Sequence, residues 1–188
     1  MTAYERISDL VFAASARAPR ATALSFKQTS VTYEELAAAV DEAARGLLAG
    51  GLQRGDRVAV YLEKRIETVV SLLGIAAAGG AFVPVNPLLK PHQVQYILNH
   101  SGARTMITSG LRLDSLRPVL PACPDLRLVV LVDARDGQGG DAAPDRFRSL
   151  GWEGLLAPGG PSPATPQRAI FSDMVAILYT SGSTGMPK

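Results

Sequence analysis

The sequence predicts an α/β fold: a mostly parallel sheet with helices on both faces. Three observations lead there. From Arg57 onward, short apolar runs alternate with segments of helical periodicity. Two of the runs, Val58-Ala59-Val60 and Leu128-Val129-Val130-Leu131-Val132, are continuously apolar instead of alternating, as parallel strands covered on both faces require. The 188 residues are 47% hydrophobic and 19% charged, enough apolar surface for a real core, so disorder is excluded as the main state.

The elements follow in order. Tyr4, Ile7, Leu10, Val11 and Ala14 recur every three or four residues and predict an amphipathic helix that stops before Pro19. Residues 23–26 read as a short strand. Thr32 with Glu35 three positions on has the form of a capping box, and it predicts a helix over 33–49. Leu36, Val40, Ala43, Leu47 and Leu48 form its inner stripe, and Gly50-Gly51 ends it. After a turn at Gly55-Asp56 the pattern predicts strand 57–62, helix 66–78, strand 81–85, helix 91–100, strand 104–108, a short helix near 113–120 and strand 126–132. Thr68 to Leu89 carries no charge and is long enough to span a bilayer, but Gly79, Gly80, Pro84, Asn86 and Pro87 divide it. A buried helix followed by a buried strand is therefore expected, with no membrane span.

Residues 133–168 are rich in Gly and Pro and read as a long connection, interrupted by a brief helical turn around 147–156 that carries the only tryptophan, Trp152. Strand character returns over 174–179. Three units result: an α/β layer over 1–132, the connection over 133–168, and a strand with its following loop over 169–188.

Nineteen Lys and Arg against 17 Asp and Glu leave a net charge of +2. That balance offers no footprint for nucleic acid or an acidic membrane. The single cysteine, Cys123, cannot form an internal disulfide, and no Cys/His set has zinc-ligand spacing, so a cytoplasmic protein without a metal centre is expected. The first residues lack the pattern of a signal peptide. His92 and His100 read as surface residues and not as a catalytic pair.

Chemistry concentrates at the end of the chain. Thr180-Ser181-Gly182-Ser183-Thr184-Gly185 consists only of Thr, Ser and Gly, follows an apolar strand, and is closed by Met186-Pro187-Lys188. Glycines let the backbone turn tightly enough for several amides to meet one anion, hydroxyls add donors and the lysine adds charge. This is a candidate phosphate cradle. It is not a Walker A loop, because Gly182 and Gly185 are three apart and Pro187 precedes the lysine, nor is it a dinucleotide fingerprint.

The string Tyr179 to Lys188 resembles the signature loop of the AMP-forming, adenylate-forming ligases. Val31-Thr32-Tyr33-Glu34-Glu35-Leu36, with Gly55-Asp56-Arg57-Val58-Ala59-Val60, and Gly79-Gly80-Ala81-Phe82-Val83-Pro84-Val85-Asn86-Pro87 are similar to two earlier blocks of that family, in order. The earlier blocks read as scaffold. Asn86-Pro87 is closer to acyl- and aryl-CoA synthetases than to amino-acid-activating domains, which usually place Asp-Pro there.

The resemblance implies that a carboxylic acid attacks the α-phosphate of ATP, releasing pyrophosphate, and that the acyl group of the adenylate passes to coenzyme A, with Mg2+ assisting. No protein nucleophile is needed. The resemblance assigns Thr180, Ser181, Ser183 and Thr184 to the phosphates, Gly182 and Gly185 to the bend, and Lys188 to added charge; no catalytic residue and no metal ligand is assigned. A full member of the family is far longer, so the chain is expected to be an incomplete, N-terminal part of the large domain, inactive alone. With sheet and helices left uncovered, a homodimer or higher oligomer is expected. Two alternatives stay open: part of a peptide-synthetase adenylation domain, and a noncatalytic α/β interaction module.

Overall fold

Five parallel strands form the centre: β3 (Arg57–Tyr61), β4 (Ala81–Pro84), β5 (Thr105–Thr108), β6 (Leu128–Leu131) and β7 (Arg148–Gly151). Their order is β4-β3-β5-β6-β7, and every neighbouring pair is parallel. The computed structural model describes residues 6–134, 147–157 and 172–180. β5 and β6 are buried at every position, consistent with a helix layer on each face.

On one face, α2 (Tyr33–Ala49), α3 (Ile66–Ala77) and α6 (Trp152–Leu156) bring Leu47, Ile75 and Leu155 against Val58, Val60, Ile107 and Val130. On the other, α4 (Pro91–Ser101) and α5 (Gly110–Leu116) bring Val94, Ile97, Leu98, Leu113 and Leu116 against Ala59, Val83, Met106 and Val129. A third cluster joins α1 (Asp9–Arg17) and the antiparallel hairpin of β1 (Thr22–Phe26) and β2 (Thr29–Thr32) to α2 and α3.

The capping box exists as expected. Glu35 N donates to Thr32 Oγ1 at 3.3 Å, and Thr32 N donates to Glu35 Oε2 at 2.7 Å. The backbone donation from Thr32 holds the Glu35 carboxyl below its ordinary range, as stabilisation of the charged form must. α2 and α3 approach closely because Gly74 has no side chain: a Cβ there would lie 2.9 Å from that of Ala43. α4 ends at Gly102 in the left-handed region, φ 61°.

Several local expectations change. The first helix begins at Asp9, whose carboxylate accepts from the Arg6 amide at 3.0 Å; Tyr4 lies outside the described residues. β2 has too few apolar residues to announce itself and owes its form to pairing with β1. The helix expected near 113–120 is shifted to Gly110–Leu116, where the Asp133 carboxylate accepts from the Gly110 amide at 2.8 Å, and a 3-10 turn follows at Leu120–Ala122. Within the Gly/Pro-rich stretch, Arg148–Gly151 forms β7 beside β6, a strand made by backbone pairing and not by local apolar pattern. The uncharged stretch 68–89 holds most of α3 followed by β4. Among the described residues no helix is long and apolar enough to cross a membrane.

Candidate phosphate-binding site

Of the loop residues singled out from sequence, Thr180 lies within the described residues; Ser181, Gly182, Ser183, Thr184, Gly185 and Lys188 lie outside them. The segment that delivers the loop is well placed. Phe82 N donates to Val175 O at 2.9 Å and Ile177 N donates to Phe82 O at 3.0 Å, so Ala176 pairs in parallel with Phe82 on the outer edge of β4. The strand expected over 174–179 reduces to this one bridge, because no further residue of the segment pairs with β4 among the described residues; Thr180 follows four residues past Ala176.

Two side-chain contacts fix the segment. Arg54 donates twice to the Asp173 carboxylate, at 2.9 and 2.7 Å. The Tyr179 hydroxyl lies 2.7 Å from His100 Nδ1, with the rings edge to face, and His100 stacks on Tyr96 at 5.3 Å. Burial first, and the charge on an ionised Tyr96 second, raise the Tyr179 hydroxyl above its ordinary range, so it stays protonated near neutrality. Ile177 and Tyr179 pack inward while Leu178 faces out.

The carboxyl end of the sheet carries an ion-pair network. Arg112 donates to Glu63 at 3.1 Å and to Pro87 O at 2.9 Å, while its guanidinium lies 4.9 Å from the centre of the Tyr61 ring. Arg65 grips Glu67 at 2.7 and 2.8 Å. Burial alone would raise Glu67, but these bonds outweigh it and leave the carboxyl lowered. Asn86 closes the turn after β4 by accepting from the Leu88 amide at 3.0 Å. An aspartate could accept the same bond, so this geometry gives no support to the sequence argument that set Asn86 apart from Asp.

Among the described residues no group of three His, Cys, Asp or Glu could hold a metal. Burial pushes the Cys123 thiol up to about 11, which leaves it unreactive. His92 and His100 are exposed, and His100 has a positioning contact that sequence reasoning missed. Arg54 and Asp173 were missed as well, and no local signal marks a pair so distant in sequence.

Residues 11–188 match the family described as AMP-binding enzyme. Over 182 residues the chain is 29% identical to the medium/long-chain-fatty-acid--CoA/3-oxocholest-4-en-26-oate--CoA ligase of Mycobacterium tuberculosis, which covers 97% of this chain and 32% of that protein. It is 33% identical over 188 residues to the N-(5-amino-5-carboxypentanoyl)-L-cysteinyl-D-valine synthase of Streptomyces clavuligerus, covering 98% of this chain and 22% of that one. Among solved structures, the anthranilate CoA ligase AuaEII with anthranoyl-AMP matches with a TM-score of 0.85 at 23% identity, over 100% of this chain and 34% of that chain. MbtA of Mycobacterium smegmatis matches with a TM-score of 0.82 at 26% identity, over 98% of this chain and 33% of that one. The chain therefore spans about a third of the length of the mycobacterial ligase. With almost every residue inside the family match and the fold shared with these ligases, the chain belongs to the AMP-binding enzyme family.

Proposed function

We propose that this chain carries the phosphate-contacting part of an AMP-forming acid–thiol ligase, an acyl-CoA synthetase that activates a carboxylic acid with ATP and passes the acyl group to coenzyme A. One observation supports it most: the segment that leads into Thr180, the first residue of the Thr/Ser/Gly run, pairs in parallel with β4 at Phe82. In this reading Thr180, Ser181, Ser183 and Thr184 donate to the β- and γ-phosphates, Gly182 and Gly185 allow the bend, and Lys188 balances charge. The donor set fits: phosphoryl and adenylyl transfer rest on positioning and charge neutralisation, and need no nucleophile from the protein. Magnesium, where bound, would neutralise phosphate charge through the phosphate oxygens.

Relatives of both ligase and peptide-synthetase type match, so amino-acid activation is the second reading. A chimera with residues 1–188 in place of the matched third of the mycobacterial ligase tests the loop in a complete enzyme. Pyrophosphate exchange retained by the chimera and lost with Lys188→Ala supports the loop assignment. A folded chimera indifferent to Lys188→Ala and Thr184→Ala overturns the loop assignment. The 188-residue chain alone is expected to show background exchange and to bind ATP in the millimolar range or weaker, because part of a site meets the same association entropy with fewer contacts.

A further inference from the structure

Arginine begins or directly precedes four of the parallel strands: Arg57 in β3, Arg104 before β5, Arg127 before β6 and Arg148 in β7. Parallel register aligns Arg57, Arg104 and Arg127, and sets Arg148 opposite Leu128, one residue further along its strand. Arg104 N donates to Arg57 O at 3.1 Å, Arg127 N to Arg104 O at 2.7 Å, and Arg148 N to Arg127 O at 2.8 Å. Neighbouring strands lie about 4.8 Å apart, so the backbone itself gathers these cations, and like charges on adjacent strands are unfavourable unless something answers them.

Arg57 is answered within the chain, by the carbonyl oxygens of Ser101 and Gly102 at 2.6 and 2.9 Å. The other three line one cavity of about 390 Å³, walled also by Asp56 and by Gly50-Gly51. Asp56 is its one acid among the described residues. That carboxylate is already engaged, accepting from the Gln53 amide at 3.0 Å and lying 3.4 Å from Arg104 Nη1. Arg127 spends one N–H on Pro124 O at 2.6 Å. Each guanidinium has five donors, so Arg104 and Arg127 keep donors beyond these contacts, and among the described residues Asp56 is the one acid on the cavity wall to meet them.

We propose that this cavity is a second anion site, which binds a compound carrying a diphosphate group. Three arginines lining one cavity offer guanidinium groups suited to the oxygens of two linked phosphates, and each can form the paired bonds that a lysine cannot. The volume lies within the range of small-ligand pockets, about 300–1,000 Å³. The cavity sits at the amino ends of the strands, and among the described residues its lining includes none of the Thr/Ser/Gly run. It is therefore separate from the loop and holds whether or not the ligase reading does.

Calorimetric titration of the 188-residue chain with inorganic pyrophosphate, ADP and adenosine tests it. Pyrophosphate binds at one site, more weakly as salt rises, and adenosine does not bind. ADP equal to pyrophosphate marks a free diphosphate as the ligand; ADP tighter marks a nucleotide, and either supports the site. Arg127→Gln and Arg148→Gln each weaken pyrophosphate about tenfold, as loss of a charge-assisted pair does. The double variant removes detectable binding, Arg148→Lys falls between, and Lys188→Gln changes nothing. All three cavity arginines are exposed, so thermal midpoints stay close to the parent. No pyrophosphate binding by the parent chain, binding that survives the double substitution, or binding lost with Lys188→Gln overturns the proposal.

Discussion

Asp173 accepts two hydrogen bonds from the Arg54 guanidinium across 119 positions of sequence. Together with the Phe82 pairing and the contact between Tyr179 and His100, it is one of three anchors that seat the segment ahead of the Thr/Ser/Gly run. Opening of the segment should depend on those anchors.

Arg54→Gln and His100→Phe should each speed hydrogen exchange at the Ile177 amide, and the pair together more than either. Phenylalanine keeps the stack on Tyr96 but cannot bond the Tyr179 hydroxyl. Exchange in β5 should not change, because α4 keeps Val94, Ile97 and Leu98 against the sheet. Equal rates at Ile177 in parent and double variant would show that the Phe82 pairing alone suffices.

Thr32→Ala should cost about 1 kcal/mol in urea unfolding, the usual loss for an N-cap hydroxyl. Glu35 adds a pH signature. Its folded pKa lies below the ordinary 4.5, so its contribution is complete above that value and is lost as pH falls through the lowered one. The gap between the parent and Glu35→Gln should therefore close in acid, and a gap constant down to pH 3 would refute the cap as its source.

The elements legible in the sequence were those that carry their own signal. Thr32 and Glu35 marked the start of α2 because a cap is local, and Val129 and Val130 marked β6 because a buried parallel strand is apolar throughout. β7 was hidden because Arg148 and Ser149 have no strand pattern; the bond from Arg148 N to Arg127 O makes the strand, and that partner is twenty-one positions away. The loop composition showed where phosphate chemistry was to be sought. Its anchors Asp173 and His100 were invisible because one ion pair and one ring contact leave no periodicity.

Gly46→Ala tests the packing of α2 on α6. Alanine is favoured over glycine in a helix by about 1 kcal/mol at most. A Cβ at Gly46, however, would press into the backbone carbonyl of Leu155, which cannot swing aside as a side-chain tip could. Overpacking of this kind costs about 1–3 kcal/mol, so the net effect should be destabilising. A chain stabilised by Gly46→Ala would mean that α6 moves away freely.

The last prediction concerns association. Phe82 spends both backbone groups on Val175 and Ile177, and Pro84 has no N–H, so the outer edge of β4 has no donor left. The open edge passes to the segment itself, where strand alternation turns the backbone groups of Ala176 away from β4. Met174, Val175 and Leu178 are 53%, 40% and 69% exposed along it. An apolar open edge is a template for a second chain. Light scattering should therefore give a mass that rises above one chain with concentration. Leu178→Lys should restore the single-chain mass, and Arg54→Gln, which loosens the segment, should increase association if the strand is exchanged between chains. A parent chain that stays monomeric at every concentration refutes the prediction, and association unchanged in Leu178→Lys places the contact elsewhere.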